Sequence, residues 1–130
     1  ATVIDDTYSA NPDGVLSALE YLASYGTSEK RRKILIMRSM IELGEKTEEA
    51  HRVVGEAAGK ILDLAIFTTP DGFESFKQGA VLAGMSPENI LQINAPKEII
   101  AYVLKYVSEN DVILLENRIP KSVIDALKRP

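Results

Sequence analysis

The sequence predicts an α/β domain built on a doubly wound, mostly parallel sheet with helices on both faces. Three observations carry that prediction. Short β-rich runs alternate with longer helical patterns along the whole chain. Two of the runs, Ile34-Leu35-Ile36-Met37 and Val112-Ile113-Leu114-Leu115, are wholly apolar, as strands covered on both faces are. Helix-start signals, several of them carrying proline, follow the runs.

Taken in order, the strand candidates are Thr2–Asp5, Ile34–Arg38, Leu64–Thr68, Ile90–Ile93 and Val112–Glu116. Asn11-Pro12 opens the first helix with a capping residue and a proline at the first helical position, and Val15, Leu16, Leu19 and Leu22 mark its apolar face. Thr47-Glu48-Glu49 is expected to open the second with a hydroxyl cap and two carboxylates at the positive end of the dipole. Its buried side is read as Ala50, Val53, Val54, Ala57 and Ile61. Thr69-Pro70-Asp71 opens a third helix that ends near Gly84, and Pro96-Lys97-Glu98 a fourth, striped by Ile99, Val103 and Val107. Pro120 opens a short last helix carrying Val123, Ile124 and Leu127. Repeated right-handed crossovers of this order give an open, Rossmann-like sheet, and no linker or repeat divides residues 1–130.

Composition removes several chemistries. The 130 residues include no cysteine and one histidine, His51, so disulfides, thiolate metal sites and the usual nucleophile–base pairs are excluded. A net charge of −4 gives no sign of nucleic-acid binding, and no apolar run reaches membrane-spanning length. The basic run Lys30-Arg31-Arg32-Lys33 reads as a solvated loop. Gly55-Glu56-Ala57-Ala58-Gly59-Lys60 is one residue short of a Walker loop and lies in a helical pattern, so its glycines read as helix packing. His51 is read as orienting the Glu42–Gly44 loop.

In doubly wound folds ligands bind beyond the carboxyl ends of the strands. That rule selects Asp5–Asn11, Arg38–Lys46, Thr68–Gly72, Asn94–Pro96 and Glu116–Lys121. The first is the most polar, with Asp5-Asp6-Thr7-Tyr8-Ser9-Ala10-Asn11-Pro12 between a strand and a helix start. Adjacent carboxylates there either meet a ligand or simply solvate a turn that Asn11 caps.

Those eight residues closely resemble the Asp-Asp-x-Tyr-x-Ala-Asn-Pro segment that opens the third domain of the Mur ligases, best of all the members that add D-alanyl-D-alanine to a UDP-N-acetylmuramoyl peptide. Met40-Ile41-Glu42-Leu43-Gly44-Glu45, followed by His51 and Gly55, is similar to that family's Met-x-Glu-Leu-Gly-Glu segment. The resemblance implies the carboxy-terminal domain of a cytoplasmic, monomeric, ATP- and Mg2+-dependent ligase that joins an amino acid or dipeptide to a UDP-N-acetylmuramoyl peptide in cell-wall synthesis. The phosphate loop and magnesium sites would lie in a central ATPase domain of the same chain, so this piece alone is expected to be inactive. The opening at Ala1, directly into a strand, fits an excised domain. By the same resemblance Asp6 contacts the ATP ribose, Asn11 lies close to the adenine and Tyr8 faces the nucleotide, while Asp5 sits on the hinge side.

The chain departs from the family in two places. Arg38-Ser39 replaces Gly-Asp, and near the last strand the chain reads Glu116-Asn117-Arg118-Ile119-Pro120-Lys121 where the family often has Lys-Gly-Ser-Arg. Both border the expected amine side, which makes Ser39, Glu42, Asn117 and Arg118 the candidate substrate-binding residues and leaves the added amine open. Arg118 either holds a substrate carboxylate or pairs with Glu116. Two other readings stand beside the ligase: a non-catalytic nucleotide-binding or interaction module on the same fold, and a receiver-like signalling domain. The receiver would need an aspartate where Thr68-Thr69 stand.

Overall fold

The apolar runs pair as one all-parallel sheet. In the computed structural model, which describes residues 1–8, 11–25 and 31–128, the strands are β1 (Thr2–Asp6), β2 (Lys33–Met37), β3 (Leu64–Phe67), β4 (Ile90–Gln92) and β5 (Val112–Glu116). Ser9, Ala10 and Lys30, which the sequence reading used, lie outside the described residues. The helices are α1 (Pro12–Ala23), α2 (Thr47–Gly59), α3 (Phe73–Leu82), α4 (Pro96–Tyr106) and α5 (Lys121–Lys128). Each strand end falls within about one residue of its expected place, as is normal for frayed ends.

The strand order is β1-β5-β2-β3-β4. The last strand thus inserts between the first two, pairing Asp6 with Glu116 on one side and Met37 with Glu116 on the other. A receiver domain of the flavodoxin-like type has the order 2-1-3-4-5, so the receiver-like reading is ruled out by topology. One core lies under α1, α2 and α3, with Val15, Leu19, Leu35, Val54, Phe67, Phe76 and Leu114 in it. The other, under α4 and α5, holds Ile36, Ile66, Ile99, Val103, Ile113 and Val123. Alternate residues of β5 feed the two cores, which is why that run is apolar on both faces.

Two helix readings are corrected. Thr47 does not cap α2; a turn of 3-10 helix at Gly44–Lys46 precedes it, and its hydroxyl bonds back to the Gly44 carbonyl at 2.8 Å. The buried face of α2 is His51, Val54, Gly55 and Ala58, whereas Val53 is exposed. The helix is turned because it lies flat against α3. A Cβ at Gly55 would strike the Phe76 carbonyl, and one at Gly79 the Arg52 carbonyl, so glycines set the closeness of this pair.

The basic run is not a solvated loop. Arg31 bonds the Asn110 carbonyl and the Thr2 hydroxyl. Arg32 forks onto both oxygens of Asp111 at 3.0 and 2.7 Å and lies over the Tyr106 ring. These contacts tie β1, β2 and β5 together at the amino end of the sheet, and Lys33 is already in β2.

Candidate functional site

Because every strand is parallel, all five loops selected from the sequence meet on one edge of the sheet. From that edge α1 and α2 leave towards one face and α5 towards the other, so crevices open on both sides of β5.

The first crevice is built on β1 and α1. Asn11 is extended and its side-chain oxygen accepts the Gly14 amide at 2.8 Å, the cap that Asn11-Pro12 signals. Among the described residues its amide group has no acceptor. Asp5 is tied locally: the Thr7 amide and hydroxyl donate to it, and Lys128 adds a salt bridge at 3.3 Å. The Thr7 hydroxyl leads in holding its pKa below the ordinary value, against the opposing effect of burial and with help from the Thr7 amide and Lys128. Asp6 is half-buried and borders an open hollow of about 330 Å³ with Ile4, Gly14, Ser17, Ala18 and Tyr21. Tyr8 is 94% exposed, a phenol presented to solvent at the mouth of this edge.

The floor of the second crevice is a hydrogen-bonded staple. The Thr69 hydroxyl accepts the Ser39 amide at 2.9 Å and shares a 2.7 Å bond with the Ser39 hydroxyl. The Asn117 amide donates to the Ser39 carbonyl at 2.8 Å, and its side-chain oxygen accepts the Arg118 amide. Asn117 is left-handed at φ 64, a conformation asparagine tolerates. Ser39 and Asn117 are thus buried and bonded within the chain, joining the ends of β2, β3 and β5. Above them Arg38, Thr68, Thr69, Asn94 and Arg118 line a hollow of about 350 Å³. Arg118 is exposed and makes no ion pair with Glu116, which is fully buried; that expected alternative is not observed.

His51 holds the neighbouring loop. Its Nδ1–H donates to the Thr47 carbonyl at 2.7 Å, and Nε2 accepts the Met40 amide at 3.0 Å. The ring is therefore neutral, and burial pushes its pKa down against the opposing pull of the Thr47 carbonyl and Asp71. A Cβ on Gly72, at φ 72, would collide with the ring. Glu42 is exposed, sits left-handed at φ 61, and with Glu45, Glu48 and Asp71 borders an acidic hollow of about 570 Å³. No group of three metal-ligating side chains occurs among the described residues.

Reasoning from sequence missed one group. Glu116 has no exposure, and among the described residues neither of its carboxyl oxygens has a hydrogen-bond partner. Burial above all, and then the adjacent Asp6 carboxyl, raise its pKa to about 10. Asp6 comes near it without making a bond that satisfies either oxygen. The signal was present: a carboxylate closing a wholly apolar strand.

Fold and site together define a doubly wound domain with polar strand-end crevices and no phosphate loop. The Mur ligase, glutamate ligase domain family matches residues 1–116, and the chain belongs to that family. A UDP-N-acetylmuramoyl-tripeptide–D-alanyl-D-alanine ligase of Mycobacterium leprae is 32% identical over 128 residues, 88% of this chain and 25% of that protein. A UDP-N-acetylmuramoyl-L-alanyl-D-glutamate–2,6-diaminopimelate ligase of Caldanaerobacter subterraneus is 30% identical over 118 residues, 85% of this chain and 23% of that protein. The chain therefore spans about a quarter of the length of these relatives. Among solved structures, the MurF ligase of Thermotoga maritima in complex with ADP superposes with a TM-score of 0.74 at 26% identity, over 95% of this chain and 27% of that one.

Proposed function

We propose that this chain works as the carboxy-terminal domain of a longer, cytoplasmic Mur ligase that uses ATP and Mg2+ to join an amino acid or dipeptide to a UDP-N-acetylmuramoyl peptide. The observation that carries this reading is the placement of Asp6 at one hollow, beside the start of α1 that Asn11 caps, and of Arg38 and Arg118 at the next, on the same edge. ATP, when bound, supplies the phosphoryl group that activates the peptide carboxylate. On this reading its phosphates and magnesium are held by a central ATPase domain, and this chain closes over them.

The residues present fit the nucleoside end. A half-buried carboxylate at Asp6 can accept from two ribose hydroxyls, and the uncommitted Asn11 amide can donate to a ring nitrogen of adenine. Tyr8 would lie against the nucleotide once the domains close. At the second crevice Arg118, with Arg38 beside it, would hold a carboxylate of the incoming amine. Ser39 and Asn117 would act by keeping that floor rigid, and Glu42 would face the amine from its exposed, left-handed turn. Closure of this kind excludes water and completes the reacting geometry.

The test is amine-dependent phosphate release from ATP by the full-length protein, with a UDP-N-acetylmuramoyl peptide and a panel of amines including D-Ala-D-Ala. Turnover with one amine, weakened through its KM in Arg118→Ala, is the expected result. A well-folded full-length protein that binds ATP and turns over no amine would favour the non-catalytic module instead.

A further inference from the structure

Glu116 ends β5 on the face that carries Val112 and Leu114 into the core beneath α1. It is fully buried, with both carboxyl oxygens unpartnered. The parallel ladder sets Asp6 beside it on β1 and Met37 beside it on β2. Residues in register on neighbouring parallel strands point to the same face, so the Asp6 and Glu116 carboxyls stand side by side.

Among the described residues no donor reaches the Glu116 carboxyl. Met37 is apolar, and α1 buries Val15, Leu19 and Leu22 against the same core. Titratable groups on the elements that share this core include Asp5 and Asp6 on β1, Arg38 after β2, Asp13, Glu20 and Tyr21 on α1, and His51 on α2. Of these, Asp6 is the one that acts on the Glu116 carboxyl. Asp5 is committed to Thr7 and Lys128, and His51 to Thr47 and Met40. Two adjacent carboxylates cannot both ionise cheaply, and a buried carboxylate with no donor is costly. One proton held between them removes both costs.

We propose that Glu116 is a positioning residue for nucleotide binding: its neutral carboxyl donates a hydrogen bond to Asp6 across the β1–β5 ladder and fixes the Asp6 carboxylate for the ribose hydroxyls. This rests on the nucleotide role proposed for Asp6. Rotation of the half-buried Asp6 side chain completes the bond, and the rigid strand ends keep the pair in register.

Two readouts on separate samples test it. In the 130-residue chain labelled with carbon-13, the Glu116 carboxyl carbon is followed by NMR across the pH range. It is expected to stay protonated beyond neutral pH and to ionise at lower pH in Asp6→Asn. Ionisation of wild-type Glu116 in the ordinary carboxylate range overturns the proposal. In the full-length ligase, Glu116→Leu is expected to raise the KM for ATP about tenfold while leaving the KM for the amine unchanged. Glu116→Gln, which keeps a donor, is expected to stay within about twofold of wild type. A Gln variant as impaired as the Leu variant, or a Leu variant with an unchanged KM for ATP, overturns the proposal. Thermal unfolding is run on both, and Glu116→Met replaces Leu should the latter misfold. A wild-type ligase without activity would defeat the functional reading, while the NMR titration still decides whether Asp6 and Glu116 share a proton.

Discussion

The two ends of β5 each bury a carboxylate, and the two are treated in opposite ways. Asp111, just before the strand, is 2% exposed and fully paired: Arg32 forks onto it and the Ser108 amide donates to it. Burial alone would raise its pKa, but those partners outweigh it and hold the carboxyl below its ordinary value. Glu116, at the other end, has no exposure and no donor among the described residues, and its pKa is raised to about 10. A buried charge that is met on all sides closes the sheet; one that is left unmet marks the edge where chemistry is expected. The amino edge of this sheet is closed by paired charge, and the carboxyl edge is the one proposed for contact.

Asp111→Ala should break that contrast most severely. It leaves Arg32 without its partner and Ser108 without its acceptor, so a loss of about 3 kcal/mol in urea unfolding is expected, at the low end for buried pairs because Arg32 is partly exposed. Next comes His51→Ala, which abandons the Met40 amide and should cost about 2 kcal/mol by the same assay. In the wild type the depressed His51 pKa contributes stability that is present above about pH 6.5 and lost as pH falls through the folded value; the Asp111 contribution is likewise lost in acid.

Glu116 has the reverse sign. Its folded pKa of about 10 lies above the ordinary 4.5, so its contribution is full below the latter and is lost as pH rises towards the former. Glu116→Gln should therefore gain on the wild type by about 1–2 kcal/mol at mildly alkaline pH and by little in acid, read from thermal unfolding at both. Arg118→Ala should have the smallest effect on stability, within about 0.5 kcal/mol, since the side chain is exposed. A large loss there would make Arg118 structural and remove it from the amine site.

What was legible in the sequence follows from the same contrast. Apolar runs and Asn11-Pro12 report local physics, and the strands and the α1 cap appear where those signals put them. The insertion of β5 between β1 and β2 is a long-range choice that no local pattern encodes, and it is what brings Glu116 to Asp6. The face of α2 was misread at Val53 because close α2–α3 packing through Gly55 and Gly79 overrides the apolar stripe. Arg31 and Arg32 looked like solvated charge because their partners, Asn110 and Asp111, lie far away in sequence. Ser39 and Asn117 were read as ligand contacts from their loops, yet their polar atoms meet one another's strands. Arg38 was noticed as a departure from the family but not as a neighbour of Arg118.

The most direct test sets the two edges against each other in one protein. In the full-length protein, KM for ATP in the proposed ligase reaction and the unfolding midpoint are measured for Asp6→Ala and Asp111→Ala. Asp6→Ala is expected to raise the KM about tenfold with the smaller fall in midpoint, and Asp111→Ala to lower the midpoint more with the KM preserved. An Asp6→Ala enzyme that binds ATP as the wild type does would contradict the assignment of the carboxyl edge to the nucleotide.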